Sequence, residues 1–245
     1  MKELLSTVYK RKSIRTYDKD LVLTKEALDN LKDYFTKLIP LVADIKYHLE
    51  IVARKDTSAK FGEYCLLFYS EEKPYHLLNA GYLLEQIDLY LESQNVGVCW
   101  YGMAYPQEKT YEGLKYIIML AFGQSEPSSF RESINEFKRK SIDSIWSGSF
   151  PEEIKAIVRL APSACNSQTW RFISTDEQVE VYRDPNVRSI IPKSRLAYFN
   201  SLDLGIVLCF LDIALDNYGY DFTRILINEK ADNDLIEVAR YKIKK

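Results

Sequence analysis

The sequence predicts an α+β fold with two similar half-domains, each containing an antiparallel-type sheet and flanking helices. Two repeated patterns and a repeated order of elements support this prediction. The first pattern is the pentapeptide Lys-Arg-Lys-Ser-Ile, which occurs at 10–14 and again at 138–142, after an aromatic residue each time. A period near half of the 245-residue chain indicates two fused halves, because solenoids repeat about every 20–50 residues.

The second pattern joins two apolar stretches with helical spacing. Its copies lie 124 residues apart, against 128 for the pentapeptide, and consist of Gly81, Leu84, Asp88, Leu91 and Gly205, Leu208, Asp212, Leu215. Small insertions account for the difference between the two offsets. The polar stretch 124–129 suits a joint between halves, because Pro and Ser are typical of connecting segments. We therefore predict one half in residues 1–128 and the other in residues 129–245.

The order helix, hairpin, helix, strand is predicted in each half. In the first half Thr24 caps a helix that runs from 25 to about 39. The elements that follow are two strands, a long helix and a buried strand, at 46–53, 63–69, 77–94 and 116–122. In the second half a helix with Pro in its first turn is followed by a hairpin, a long helix and a strand. These lie at 151–160, 170–174, 179–183, 201–217 and 222–228. Repetition of this order predicts two similar layers packed together.

Composition excludes several classes of protein. The chain is 47% apolar, and its 33 basic and 35 acidic residues leave a net charge of −2. We therefore expect a globular core and no electrostatic attraction to nucleic acid or anionic membranes. The longest nearly apolar stretch, from Leu204 to Leu215, is too short to span a bilayer, and the N-terminus lacks a signal-like apolar block. Four scattered cysteines and two histidines fit neither a disulfide scaffold nor a metal site. A cytoplasmic protein is expected.

Arg11, Ser13 and Arg15 alternate along a short extended or turn segment, so their side chains can converge on one face. Two guanidinium groups and a hydroxyl suit a phosphate dianion, because arginine donates through a fixed fork and the bonds are charge-assisted. Lys12 belongs to the same basic cluster. These residues are also typical of a solvated basic turn, so that alternative stays open.

Two further segments combine small and polar residues. Residues 161–170, Ala-Pro-Ser-Ala-Cys-Asn-Ser-Gln-Thr-Trp, follow a predicted helix and precede a strand, which suits a loop that holds a planar ligand. A connecting loop with capping Ser and Asn is the alternative. Residues 97–103, Gly-Val-Cys-Trp-Tyr-Gly-Met, contain glycines that permit close approach of the backbone to a ligand. A helix C-cap beside a core Trp100 is the alternative there.

Taken in order, these three segments resemble the FMN-dependent nitroreductase family, over nearly the whole chain in outline. Residues 11–15 match the family's Arg-x-Ser-x-Arg phosphate segment. The loop 161–170 is similar to its Pro-Ser-x-x-Asn-x-Gln-Pro-Trp loop, with Thr where the family usually has the second Pro. Residues 97–103 are similar to its Gly-x-x-Cys-Trp-x-Gly segment beside the flavin ring. Residues 137–143 look like its basic segment at the flavin phosphate, with Phe first where Lys is common.

The resemblance implies FMN as the cofactor, NAD(P)H as the reductant and a small acceptor such as a nitroaromatic or a quinone. The chemistry would take place on flavin N5 and not on a catalytic side chain. The cofactor-binding residues implied are Arg11, Lys12, Ser13, Arg15, Tyr101, Gly102, Met103, Lys138, Arg139, Pro162, Ser163, Ala164 and Asn166. A flavin-binding store, sensor or regulator with little turnover is the alternative.

The resemblance to the single-chain, internally duplicated branch of this family also implies one site. Ordinary members are homodimers whose flavin sites lie between subunits, and here two halves would imitate the dimer. The phosphate segment occurs only in the first half, since Asp143 stands where Arg15 would repeat. The ring loop occurs only in the second half, since its counterpart at 40–44 lacks the polar residues. We expect one FMN per chain, between the halves. A monomer is sufficient for this site, and a dimer is left open.

Overall fold

The computed structural model describes residues 1–17, 20–232 and 234–244. Its helices are α1 Leu5–Val8, α2 Lys25–Phe35, α3 His76–Ser93, α4 Ile142–Ile145, α5 Glu152–Arg159 and α6 Lys193–Asn217. Its strands are β1 Tyr47–Ala53, β2 Tyr64–Ser70, β3 Val96–Tyr101, β4 Thr110–Tyr111, β5 Leu114–Gln124, β6 Trp146–Gly148, β7 Trp170–Thr175, β8 Gln178–Arg183, β9 Asp221–Asp232 and β10 Leu235–Lys244.

The strands form two sheets with corresponding strand orders. In the first sheet β1, β2, β5 and β3 are neighbours in that order, all antiparallel, and β4 pairs with β5. In the second sheet the order is β6, β7, β8, β10, β9, antiparallel except for the short β6–β7 pair. Without β4 and β6, the two paths match strand for strand. The predicted α+β fold with two antiparallel-type sheets and flanking helices is confirmed, and the boundary between residues 128 and 129 stays a prediction.

The long helices α3 and α6 pack against each other, α3 on the first sheet and α6 on the second. Two glycines lie at their contact. A Cβ on Gly81 would be 2.1 Å from the carbonyl oxygen of Leu202, and one on Gly205 would be 2.0 Å from that of Leu78. Only glycine permits this approach. The glycines of the repeated sequence pattern therefore meet where the two helices touch.

Apolar side chains form a main core on each side of this helix pair. Leu84 of α3 and Phe122 of β5 belong to the first core, and side chains of α6, β7 and β8 form the second. The N-terminus crosses this division, because Leu4 and Val8 are buried in the second core although they lie at the start of the first half. Residues 1–8 therefore tie the two halves together.

Most predicted elements are confirmed, with informative differences. Thr24 caps α2, because its Oγ1 accepts a hydrogen bond from the backbone N of Ala27 at 3.1 Å. The helix predicted from residue 201 begins instead at Lys193. β3 and β10 were not predicted as strands. The longer α6 has the length and apolarity to cross a bilayer, but 78% of its most apolar window is buried inside the protein, which is typical of a core helix.

Candidate functional site

A cavity of about 500 Å³ lies where the N-terminal segment, the end of β3, the loop before β7 and helix α6 meet. This volume is in the range of small-molecule and cofactor sites. The sequence-predicted residues that line it are Arg11, Ser13, Arg15, Tyr101, Gly102, Met103, Pro162, Ser163 and Ala164. The others, Lys12, Lys138, Arg139 and Asn166, are not part of its lining. The three segments singled out in the sequence thus border one space.

The basic N-terminal segment runs in extended form beside β3. Ser13 forms a parallel bridge with Val98, and the backbone N of Ile14 donates to the carbonyl of Val98 at 2.9 Å. Ile14 is turned into the core with 5% of its surface exposed. Because side chains alternate along an extended segment, Arg11, Ser13 and Arg15 share the opposite side and line the cavity.

Arg11 is buried beside acidic side chains of α3. Its Nη2 and Nε donate to Asp88 Oδ2 at 2.6 and 3.2 Å, and its Nη1 donates to Ser13 Oγ at 3.2 Å. Glu85 lies 3.9 Å from Arg11 Nε. Burial alone would lower the pKa of Arg11, but the neighbouring carboxylates raise it above its ordinary value. Burial, and then Asp88, raises the pKa of Glu85 well above its usual range. Arg11 therefore stays charged, and Asp88 neutralises much of that charge.

Asp88 positions two residues of the cavity, because it also accepts a hydrogen bond from Trp100 Nε1 at 2.8 Å. Arg15 differs from Arg11 in this respect. It is exposed, and no carboxylate of the described residues forms an ion pair with it. The guanidinium group of Arg15 is therefore available to an anionic ligand in the cavity.

The end of β3 and helix α6 form an apolar wall. Gly102 lies against Phe199, and a Cβ on Gly102 would be 2.4 Å from Phe199 Cε1. Tyr101 stacks on Phe61, with ring centroids 4.5 Å apart and planes inclined by 3°. All four residues line the cavity. Flat aromatic walls of this kind suit a planar, largely apolar ligand.

The loop that begins at Pro162 has a strained backbone. Cys165, Asn166 and Gln168 have φ angles of 52°, 55° and 50°, a left-handed region that non-glycine residues rarely adopt. Each such residue costs on the order of 1–3 kcal/mol unless its surroundings hold it in place. Within the loop, the backbone N of Gln168 donates to Ser163 Oγ at 2.9 Å.

The second basic segment holds this loop from outside. Asn166 Nδ2 donates to the carbonyl of Lys138 at 2.7 Å, and Arg139 Nη1 donates to Asn166 Oδ1 at 2.9 Å. The backbone N of Lys140 donates to Gln168 Oε1 at 2.8 Å. Lys138, Arg139 and Asn166 are therefore joined to one another beside the cavity. Their contact with a flavin phosphate stays a prediction.

Arg139 nevertheless lies in a cationic neighbourhood. Burial, and then the charges of Arg11 and Arg131, lowers the pKa of Arg139 to about 9. Such a group gains from a nearby anion, because an opposite charge favours its protonated form. Lys12 lies outside the cavity lining, and its backbone N donates to the carboxylate of Glu92 at 2.9 Å.

Asp203 lines the same cavity and was not predicted from the sequence. It lies on α6 with 2% of its surface exposed. Its Oδ1 accepts from the backbone N of Ala164 at 2.8 Å, and its Oδ2 accepts from Ser167 Oγ at 3.4 Å. Burial raises the pKa of Asp203 to about 7, although both hydrogen bonds lower it. Its place directly before the apolar stretch from Leu204 was a usable signal. The other lining residues that were not predicted are Phe61, Trp100, Ile118, Cys165, Ile190, Ile191, Pro192, Arg195, Phe199, Leu202 and Ile206.

A family profile matches most of the chain. The family is described as "Putative TM nitroreductase", and the match covers residues 3–215. Comparison with curated proteins gives no match.

Solved structures give a similar result. The chain resembles a protein from Thermotoga maritima MSB8 described as a putative nitroreductase, with a TM-score of 0.67 and 17% identity over 98% of this chain and 93% of that chain. At this identity the likeness shows the fold alone. Two proteins described as putative NADH dehydrogenase/NAD(P)H nitroreductase are also similar. The one from Bacteroides thetaiotaomicron has a TM-score of 0.42 and 18% identity over 54% of this chain and 89% of that chain. The one from Parabacteroides distasonis has 0.44 and 17% over 60% and 99%.

Proposed function

Because the chain belongs to the family described as putative TM nitroreductase, we propose that it is an FMN-dependent oxidoreductase that uses NAD(P)H. The acceptor in this proposal is a small molecule such as a nitroaromatic or a quinone, and the protein acts in the cytoplasm. One observation carries the proposal: the basic segment, the end of β3 and the loop before β7 border a single cavity. Bound FMN would supply hydride transfer between the nicotinamide and the acceptor.

The residues present fit a planar cofactor with a phosphate. Arg15 offers a guanidinium group without a carboxylate partner among the described residues, and Ser13 offers a hydroxyl. Arg11 has five N–H donors, of which the bonds to Asp88 and Ser13 use three. Two remain for an anion. These three side chains would hold the phosphate in this proposal.

Other residues of the cavity lining suit the ring system. Ser163 Oγ accepts from Gln168, so its own hydroxyl proton can be donated to a ligand. Tyr101, Met103 and Phe199 line the apolar part and would keep water from the faces of a bound ring. A site that excludes water strengthens the electrostatic effect of each polar group that remains.

Flavin content tests this proposal. The purified protein, supplied with FMN, should bind about one FMN per chain, because the phosphate segment and the ring loop each occur once. Riboflavin should bind more weakly, since it lacks the group that Arg11, Ser13 and Arg15 would hold. Absence of FMN binding contradicts the proposed function, and a ratio near two contradicts the assignment of one site.

Turnover distinguishes an enzyme from a flavin store, sensor or regulator. Anaerobic stopped-flow mixing of the FMN-loaded protein with NADH or NADPH should bleach the visible absorbance of the flavin. A nitroaromatic or a quinone, added afterwards, should restore it. Bound flavin that neither nucleotide reduces would favour the store, sensor or regulator.

A further inference from the structure

We propose that Asp203 is a positioning residue whose carboxylate holds the loop 162–168 against the cavity, and that protonation of this carboxylate weakens the hold. The consequence for flavin binding rests on the proposed function, whereas the effect on the loop does not. Both can be measured separately.

Two hydrogen bonds join Asp203 to the loop. The side chain projects from the rigid helix α6 into the cavity lining and is 2% exposed. Each of its two oxygens accepts one hydrogen bond, from the backbone N of Ala164 at 2.8 Å and from Ser167 Oγ at 3.4 Å. One carboxylate therefore joins both ends of the turn that carries Cys165 and Asn166.

This turn needs to be held. Cys165, Asn166 and Gln168 occupy the left-handed region, and strain of this kind persists only where neighbouring groups over-determine the conformation. The segment 138–140 restrains the loop from outside through Asn166 and Gln168. Asp203 is the restraint on the side of the cavity, next to any ligand.

The first half of the molecule contains a neutral counterpart. Asn79 lies on α3, 124 residues before Asp203, and is fully buried. Its Oδ1 accepts from the backbone N of Val42 at 3.1 Å. An amide thus makes the same kind of contact to the corresponding loop of the first half. Asparagine at 203 should therefore preserve the shape of the contact and remove only its charge.

The charge can change near neutral pH. Charged and titratable groups that share the cavity with Asp203 are Arg11 and Arg15 of the N-terminal segment, Tyr101 of β3, Cys165 of the loop and Arg195 of α6. Burial raises the pKa of Asp203 to about 7, so both of its forms are populated there. The two hydrogen bonds from the loop lower the pKa of Asp203, whereas burial in the fold as a whole raises it. Ionisation therefore strengthens the contact to the loop, although it lowers the stability of the whole fold.

Cys165 provides a reporter in the full chain without flavin. It is exposed on the loop, whereas Cys65, Cys99 and Cys209 are buried. At about pH 8 a neutral alkylating reagent should label Cys165 about fivefold faster in Asp203→Asn than in wild type, the difference between hydrogen bonds to charged and neutral acceptors. At about pH 6 the ratio should approach one, because wild-type Asp203 is then largely protonated. The charge of Asp203 also acts on the reactivity of the nearby thiol, and Ser167→Ala, which keeps that charge, separates this effect from the hold on the loop.

Two variants complete this experiment. Ser167→Ala removes one hydrogen bond and keeps the charge of Asp203, so it should also accelerate labelling at about pH 8. Asp212→Asn is the matched control, because Asp212 is a buried carboxylate of the same helix whose pKa burial also raises, and it lies outside the cavity lining. It should label like wild type. Labelling of Asp203→Asn at the wild-type rate at both pH values, or equal acceleration by Asp212→Asn, would overturn the proposal.

Flavin affinity gives the second readout. Lowering the pH from about 8 to about 6 should weaken FMN binding in wild type, as measured by flavin fluorescence. This loss of affinity should be about fivefold larger in wild type than in Asp203→Asn. Titration of the FMN phosphate is common to both proteins and cancels in this ratio. A wild-type chain that binds no FMN contradicts the proposed function and leaves the labelling result standing. FMN binding with the same pH dependence in both proteins overturns the inference alone.

Discussion

Asp88 on α3 and Asp212 on α6 stand at corresponding positions of the repeated pattern and have different surroundings. Asp88 pairs with Arg11 and accepts from Trp100, and both partners line the cavity. Asp212 pairs with Arg224 and accepts from two tyrosine hydroxyls, those of Tyr82 at 2.6 Å and Tyr241 at 2.7 Å.

The difference lies in what borders each pair. Around Asp212, the side chains of Tyr82 and Tyr241 are fully buried in the second core. Around Asp88, the Oδ1 atom has no hydrogen-bond partner among the described residues, and Arg11, the partner of Asp88, lines the cavity. A buried acid and an arginine are thus present in both halves, but tyrosine rings fill the space in one of them. This supports one ligand site in the chain and gives the second pair a structural role.

The largest expected effect on stability comes from breaking the ion pair between Arg11 and Asp88. Arg11→Ala should lower the free energy of unfolding by about 3–5 kcal/mol, because it leaves Asp88 buried without its charged partner. Arg224→Ala should cost less, about 1.5–3 kcal/mol, since two tyrosine hydroxyls still donate to Asp212. Urea unfolding of both variants measures the difference. Equal losses would contradict the comparison.

The pH dependence of stability tests what the charge of Asp203 does, a charge that its neutral counterpart Asn79 lacks. The pKa of Asp203 is about 7 in the folded protein, against about 3.9 in an unfolded chain. Between these values the unfolded state loses the proton first, so stability falls as pH rises from about 4 to about 7, by up to about 4 kcal/mol. Asp203→Asn should remove this fall. Urea unfolding across this pH range checks the prediction. The same dependence of the free energy of unfolding on pH in wild type and variant would contradict it.

Arg15 gives the clearest test of the phosphate contact. Arg15→Ala should weaken FMN binding about 10- to 100-fold, because charge-assisted hydrogen bonds contribute about 1.5–3 kcal/mol. Its stability should stay near that of wild type, since Arg15 is exposed. Lys138→Ala, at the predicted outer contact, should have a smaller effect on affinity. Fluorescence titration measures both, and a larger effect at Lys138 would reverse the assignment.

The smallest expected effect is on the surroundings of Asp212, where tyrosine rings fill the space. Tyr241→Phe removes one hydroxyl from Asp212 and should lower the free energy of unfolding by about 1–2 kcal/mol. FMN affinity should not change, because Tyr241 does not line the cavity. Thermal or urea unfolding and a flavin titration check the two statements. Weaker FMN binding in this variant would mean that the two regions are coupled.

The elements predicted correctly from the sequence are those with a regular apolar pattern. The elements that were not predicted, or were predicted with other bounds, have physical reasons. β10 carries a register shift between Glu237 and Ala239, which interrupts the alternation that identifies a strand. α6 begins at Lys193, but its first turns are exposed and polar, so the apolar periodicity starts later. Gly97, for which a helix C-cap was the alternative, lies within β3. Glycine fits there because a Cβ would be 2.3 Å from Ser125 Oγ.

The site was predictable where its chemistry is local. Arg11, Ser13 and Arg15 form a recognisable pattern because neighbouring residues of an extended segment share a face. Their electrostatic setting was not predictable, because Asp88 lies 77 residues away from Arg11. Asp203 was missed for a related reason. Its place directly before an apolar helical stretch indicates burial, but its contact to the loop 162–168 depends on the tertiary fold.

Leu4 and Val8, at the start of the chain, are buried in the second core. A chain cut within the joint at 124–129 would yield a first fragment with these leucine and valine side chains exposed and a second fragment with a gap in its core. Neither fragment would contain both the basic segment and the loop before β7. Co-expressed, the fragments should associate again, which makes this fold a candidate for a split reporter whose reassembly is read from binding of the proposed FMN.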